Sequence, residues 1–578
     1  MKKNALIYLV LIGILFSVAS TSQYLNSIKQ KLTNDLVGLR FVYESDSLFD
    51  GSLLYTYDQK FSSLKTLRSS KLEENILFYK FPKSDSIVKK FRLDFGNNSN
   101  IKPIKIKALY LIFNNDEIHI SENELFAKFY NISPSIKLNK KDNVINFRAE
   151  AVPFDPYIIF QPMIEFTINK WSYISILLTP FLIIVLIIFR IKKIKPDILD
   201  VFLILFILCI PLKIAWTTFF TLLLCIYGLY VTISKKQFFN KNKSSYFYLG
   251  LFFLLILLGK PDNFSDIDMQ FSLLFWAIIS ATLYLPKVKI YKYYSTFFIL
   301  LNSIILVSGI TFLLWFNDFY GLEIIDYYQN VKNYSRDIRG WLYYSHAAFL
   351  SFFGIVGVLF MDYLYRKKLV SMGVVILYHT LLISFIIITA TRIGIIVYLV
   401  FLMNTLVKVD FKKRLAINSL IYIVFASFLF MNIQETDRSR SKLWAVTYEA
   451  IKDKPLFGHG IGNSNEVLHS KYYTDKIIGS PDVELNHSHN QFLTFFLEIG
   501  FLGSSIIFIS FIYFLFKTKL YKNEQLIIFM FGLGYLFLTE SALQTSKPLY
   551  VICFIFLIIT VNDYQTKDNK ITTKFKTP

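Results

Sequence analysis

The feature that most constrains this chain is its series of apolar runs of roughly 15–25 residues, joined by short connections crowded with lysine and arginine. About 20 apolar residues cross the hydrocarbon core of a bilayer. Soluble domains show no such runs, and they carry more than the 18% of charged residues found here. Candidate spans lie near 4–20, 172–190, 197–212, 217–234, 245–259, 270–286, 295–316, 343–364, 369–390, 393–407, 415–432, 491–516, 525–540 and 548–562. That makes about fourteen, several of them short, and 197–234 also reads as one re-entrant hairpin. Disorder is excluded, because 59 Phe and 37 Tyr do not stay unburied.

The net charge of +21 would suggest nucleic acid on a soluble protein. On a membrane protein its position matters more. Six alternate connections, 190–195, 235–243, 287–292, 366–368, 408–414 and 517–524, hold 21 basic residues and only two acids, Asp410 and Glu524. By the positive-inside rule these connections, both termini and the 563–578 tail are cytoplasmic. The first segment reads in two ways: as a transmembrane helix or signal anchor over 1–20, or as a cleaved signal peptide with Lys2, Lys3 and a small-residue site at Val18-Ala19-Ser20. Cys209, Cys225 and Cys553 all lie in apolar runs and form no CxxC pair, which argues against redox and thiolate–zinc chemistry.

Two long segments fall outside the cytoplasm. In 21–170, apolar and polar residues alternate at 91–95 and 104–113, and Asn-rich turns follow each run. Period two with turn residues between predicts antiparallel strands, and the length suits a β-sandwich. Arg92-Leu93-Asp94 followed by 104–113 resembles β-sandwich modules attached to bacterial membrane glycosyltransferases; such a module serves glycan binding or acts as a spacer. The second segment, 433–490, carries four of the seven histidines, His459, His469, His487 and His489, with Arg438 and Arg440. Connections this long are usually functional. The expected architecture is therefore a polytopic all-α membrane protein with an N-terminal extracytoplasmic β-sandwich. It divides into 1–20, the β-rich 21–170, helices over 171–432, the long loop 433–490, helices over 491–562 and the tail.

Arg440-Ser-Lys-Leu-Trp444, Pro455-Leu-Phe-Gly-His-Gly-Ile-Gly462 and His487-Ser-His489-Asn490 follow one another in this loop. After His489-Asn490 come nine residues and then Gly500-Phe-Leu-Gly503, and farther upstream stands Thr391-Arg392-Ile393-Gly394. In this order the motifs resemble the O-antigen ligase and polymerase superfamily over roughly 195–560, most specifically over 436–503. The resemblance implies a core of about twelve spans in the bacterial cytoplasmic membrane. It also implies transfer of a glycan from an undecaprenyl pyrophosphate carrier to an acceptor hydroxyl on the outer face, with no metal, nucleotide or other cofactor. The acceptor is a lipid-core sugar, a growing glycan or a protein hydroxyl, and the sequence does not separate these.

The residue types suit that chemistry. A sugar hydroxyl is a poor nucleophile, and a positioned histidine takes its proton as the bond forms. His489, where a loop enters a helix, is the expected base, with His487 and Asn490 beside it. A departing pyrophosphate needs guanidinium forks, for which Arg440 and Arg392 are the first candidates, then Arg438 and Arg339. His487-x-His489 would also suit zinc if His459, His469 or Asp482 joined them, but the resemblance implies no metal. Glu498 lies half a helical turn out of phase with His489, so it supports packing beside Gly500 and Gly503 unless the helix breaks. Gly458-x-Gly460-x-Gly462 lacks the Lys-Ser/Thr of a phosphate loop and reads as a tight turn. A transporter for lipid-linked sugars would share the composition, but no internal repeat is visible and the ionisable residues cluster in an outer loop. A membrane sensor would need an output domain that the sequence lacks.

Overall fold

The computed structural model describes residues 3–30, 36–45, 52–56, 65–73, 75–81, 90–95, 102–114, 117–121, 129–133, 135–139, 144–147, 156–160, 170–192, 197–210, 214–234, 243–259, 271–282, 294–320, 347–388, 391–406, 411–436, 438–474, 488–541 and 549–559. It divides into two units. One comprises Met1–Ile14, Leu178–Val307 and Val331–Pro578; the other comprises Leu15–Leu177 and Ser308–Asn330.

The second unit contains two antiparallel sheets. One orders its strands β10 (Ile136–Asn139), β11 (Val144–Phe147), β7 (Ile104–Phe113), β1 (Leu36–Glu44), β5 (Ile76–Lys80) and β4 (Ser70–Glu73), with β8 (Glu117–Ser121) also on β7, and the other runs β3 (Lys65–Arg68), β2 (Ser52–Thr56), β6 (Lys90–Asp94), β12 (Tyr157–Phe160) and β9 (Phe129–Ile132). The alternating stretches of the sequence are β6 (Lys90–Asp94) and β7 (Ile104–Phe113). β7 pairs along its length with β1 (Leu36–Glu44), Leu39 opposite Leu111 and Phe41 opposite Leu109. A register shift between Val42 and Tyr43 leaves Lys107 unopposed. This bulge shifts the parity of β7, so Ile104 and Ile106 are buried before it and Leu109, Leu111 and Phe113 after it. Between the sheets Phe95 meets Phe147 edge-on at 5.4 Å.

The first unit is helical, with an apolar core and further apolar side chains exposed on its outside. On the Phe411–Thr436 helix Leu420, Ile423, Val424, Phe428 and Met431 are exposed, and on Gln491–Thr518 so are Phe508, Ile509, Ile512, Tyr513 and Phe516. Polar groups pair inside instead: Asn404 and Asn418 exchange amide hydrogen bonds of 2.7 and 2.8 Å, and Tyr294 donates to Asp200 at 2.5 Å. Polar residues within and apolar ones without suit a lipid solvent. Among the described residues, two helices, Thr217–Ser234 and Gln491–Thr518, have the length and composition of a span, and nine apolar helices are shorter. The fourteen expected spans are thus represented by two of full length.

Three contacts set the directions of the helices around the site. Asn404–Asn418 pairs the end of Arg392–Leu406 with the start of Phe411–Thr436, so these two run antiparallel. Arg414 pairs with Glu524, and Tyr422 donates to the Gly534 carbonyl, so Phe411–Thr436 runs parallel to Glu524–Thr539. Arg392 and Glu540 therefore lie at the same end of the bundle, and Arg414 and Glu524 at the other.

Candidate active site

His489 is built into a tight cap. Its φ is +51°, a left-handed conformation that costs a non-glycine residue about 1–2 kcal/mol. The neighbours hold it there. Asn490 caps the following helix, its side-chain oxygen accepting from the Phe492 and Leu493 amides at 3.0 and 3.1 Å. The Asn490 side-chain nitrogen donates to the Leu538 carbonyl at 3.1 Å. Ser488 Oγ donates to the Asn490 carbonyl at 2.7 Å and lies 2.7 Å from Thr494 Oγ1, which in turn meets Ser541 Oγ at 3.0 Å. Ser488 and Asn490 are buried, whereas the His489 side chain keeps 23% of its surface exposed. Two buried polar residues thus anchor a half-exposed imidazole.

That imidazole points at a carboxylate the sequence reading did not single out. Glu540 follows the last residue of Glu524–Thr539, and its side chain is 1% exposed. One oxygen accepts from Arg440 Nη2 at 2.7 Å, and the other stands 3.3 Å from His489 Nδ1. A carboxylate only accepts, so this contact requires the proton on Nδ1 and leaves Nε2 as the basic nitrogen. Burying an acid without a partner is costly, and here the guanidinium supplies the compensation. Arg440 is delivered by the amphipathic helix Arg438–Asp453, whose Leu443, Val446, Ala450 and Ile451 pack against Leu468 and Leu497. Arg440 stands one turn before Leu443, on the same buried face.

The glycine loop has a defined task. Gln491–Thr518 is broken at Gly500, with φ +68° and ψ −178°. Pro455–Gly460 fills the break. The His459 and Gly460 amides donate to the Leu497 and Glu498 carbonyls at 2.8 and 2.9 Å; the Phe501 and Leu502 amides donate back to Pro455 and Leu456 at 2.8 and 3.1 Å. A Cβ on Gly458 would overlap the Glu498 carbonyl, and one on Gly500 the Leu456 carbonyl. Close approach at Gly500 is thus to a loop, which corrects the expected helix-on-helix contact, while at Gly503 a Cβ would meet Ile499 of its own helix. The break comes after Glu498, so residues 491–499 stay helical and Glu498 remains out of phase with His489. Buried Glu498 accepts from the Gly462 amide at 3.3 Å. The loop amides are used on the helix, so this loop is no phosphate cradle.

Residues 341–508 match the family model described as O-antigen ligase. Over this segment the chain is similar to O-antigen ligases. No curated protein matches the sequence. The matched family is membrane-embedded and is associated, in general terms, with glycan transfer on lipid-linked glycans in surface-polysaccharide synthesis. Arg392, Arg440, the Pro455–Gly462 loop, His489 and Gly500–Gly503 lie inside the matched ligase domain, and Glu540 lies beyond its end.

Of the other candidates, Arg392 opens the Arg392–Leu406 helix, exposed, at the same end as Glu540; Thr391 beside it accepts from Ser351 at 3.2 Å. Arg438 begins the helix that carries Arg440. Arg339 and His487 lie outside the described residues. His459 Nε2 donates to the Ala450 carbonyl at 2.8 Å, which commits that nitrogen to the loop. Among the described residues, no cluster of three His, Cys, Asp or Glu is placed to hold a metal ion. Glu540 was missed because nothing near it in sequence marks it: it ends an apolar helix, 51 positions after its partner histidine.

Proposed function

We propose that the chain transfers a glycan from undecaprenyl pyrophosphate to an acceptor hydroxyl, with His489 as general base and arginines on the pyrophosphate. The observation that carries this reading is the Arg440–Glu540–His489 array at the end of the bundle where Arg392 also lies. Glu540 holds the imidazole by Nδ1 and turns Nε2 towards the acceptor. As the acceptor oxygen bonds the anomeric carbon, its proton passes to Nε2. The bond between that carbon and the pyrophosphate oxygen breaks, and the carrier leaves as polyprenyl pyrophosphate. Arg440, whose side chain is 24% exposed, serves the leaving group together with Arg392, and Arg438 and Arg339 are secondary candidates. Ser488 and Asn490 position the base, and no metal or nucleotide enters the scheme.

The active face is extracytoplasmic in this reading, with both termini cytoplasmic in a multi-pass inner-membrane topology. The acceptor is a lipid, a glycan or a protein, and one experiment both tests the reaction and selects among them. Full-length protein is reconstituted with a defined polyprenyl-pyrophosphate glycan and each acceptor in turn. Donor consumption in the wild type, its loss in His489→Ala and its persistence in EDTA are expected. Equal consumption in His489→Ala overturns the assignment.

A further inference from the structure

The broken helix also marks where the membrane boundary runs, an inference that rests on the chain's membrane-embedded helices and not on glycan transfer. Beyond Gly500, the exposed residues Phe501, Leu502, Phe508, Ile509, Tyr513 and Phe516 form one outward stripe at helical spacing. The stripe ends at Lys517, Lys519 and Lys522. From Lys517 back to Gly500 is about 25 Å at 1.5 Å per residue, against a hydrocarbon core of roughly 30 Å. The far edge of the core therefore falls about 5 Å past Gly500. The Pro455–Gly460 loop is hydrogen-bonded to the helix at that level. Its Leu456 and Phe457 side chains are 61% and 60% exposed, and the Leu456 carbonyl accepts from the Leu502 amide at the head of the stripe. One turn earlier in that segment, Lys452 stands 4.5 Å over the exposed Tyr448 ring, a pairing suited to the headgroup layer.

We infer that Leu456 and Phe457 insert into the hydrocarbon edge of the leaflet on the site's side, making Pro455–Gly460 a re-entrant membrane contact within a segment whose sequence reads as an aqueous loop. The occupant of this apolar tip is acyl chain, because the exposed tip is hydrogen-bonded directly to Phe501 and Leu502 at the head of the lipid-facing stripe. The four backbone hydrogen bonds across Gly500 explain how a non-helical segment tolerates that depth: the amides and carbonyls opened by the break are satisfied by the loop. Residues 491–499 then rise about 13 Å from this anchor, which carries His489 to headgroup height, where the phosphates of a lipid carrier reside. The tip thus sets the height of the imidazole above the bilayer.

The test is a depth measurement on the full chain in phospholipid vesicles and needs no donor. Phe457→Cys and Leu456→Cys are spin-labelled beside two references, Lys452→Cys and Phe508→Cys; the native Cys209, Cys225 and Cys553 are buried. Accessibility to oxygen, which concentrates in lipid, is compared with accessibility to an aqueous nickel chelate. The expected result is a ratio shifted towards oxygen relative to Lys452→Cys, yet below that of Phe508→Cys. A nickel-dominated ratio at both tip positions would show them in water and overturn the inference. Shielding from both reagents, the mark of a protein partner or second copy on the tip, would overturn it equally. Either outcome leaves the glycan-transfer reading standing, because activity is not the readout; loss of donor consumption bears only on that reading.

Discussion

The two ends of the Glu524–Thr539 helix carry the same chemistry to opposite purposes. Glu524 opens the helix, paired with Arg414 and with Arg366 at 3.8 Å, and is 40% exposed. Glu540 closes it, paired with Arg440 and His489, and is 1% exposed. An acid at a helix N-terminus is favoured by the macrodipole; at the C-terminus it is opposed by about 0.3–1 kcal/mol. Glu524 therefore sits where helix stability places an acid. Glu540 sits where stability would not, out of water, and Arg440 and His489 help to make the position tenable. A buried carboxylate held against its own helix dipole by an arginine and a half-exposed histidine is organised for reaction.

Five substitutions sharpen or break this contrast. The largest effect is expected from His489→Ala: a fall in turnover of about 10²–10⁴, typical of a lost general base, with little change in the unfolding midpoint in detergent. A midpoint that collapses with the activity would instead make His489 structural. Next comes Arg440→Ala, which strands the Glu540 charge and costs about 1–3 kcal/mol of stability as well as activity. Adding Glu540→Gln to that variant should restore most of the stability and none of the turnover. Additive losses in that double variant would show that the pair is not coupled. Asn490→Ala removes a helix cap worth about 1 kcal/mol and frees His489 from its left-handed backbone. Turnover should drop while KM holds, and an unchanged turnover would deny the cap its positioning role. The smallest effect belongs to Glu524→Gln, within about 1 kcal/mol in stability and neutral in activity. A loss to match that of Glu540→Gln would erase the distinction between the two ends.

How far the site was legible follows from range. His489-Asn490 could be read because the cap and the helix it starts are contiguous, and Arg440 because its spacing before Trp444 is part of the motif order that resembles the ligase superfamily. The strands at 91–95 and 104–113 were visible as alternation, although the bulge at Lys107 that reverses the buried face of β7 was not: a phase flip in one strand is defined by its partner. The Gly458-x-Gly460-x-Gly462 turn was visible as a turn. That it splints a broken helix was not, because both halves of the hydrogen-bond pattern lie some 40 residues apart. That Gly500 meets a loop was not visible either, because the loop lies more than 40 positions away in the chain.

Residue order alone dictated a lipid-solvated helical chain with a β-rich insert, since hydropathy, basic connections and period-two runs are local properties that solvent reads one segment at a time. It also picked out His489 and Arg440. The third member of the array came only with the packing of the helices. Glu540 acquires its role from an arginine 100 positions before it and a histidine 51 before it, and a carboxylate's charge, burial and partners in a low-dielectric interior are set by what the fold brings against it.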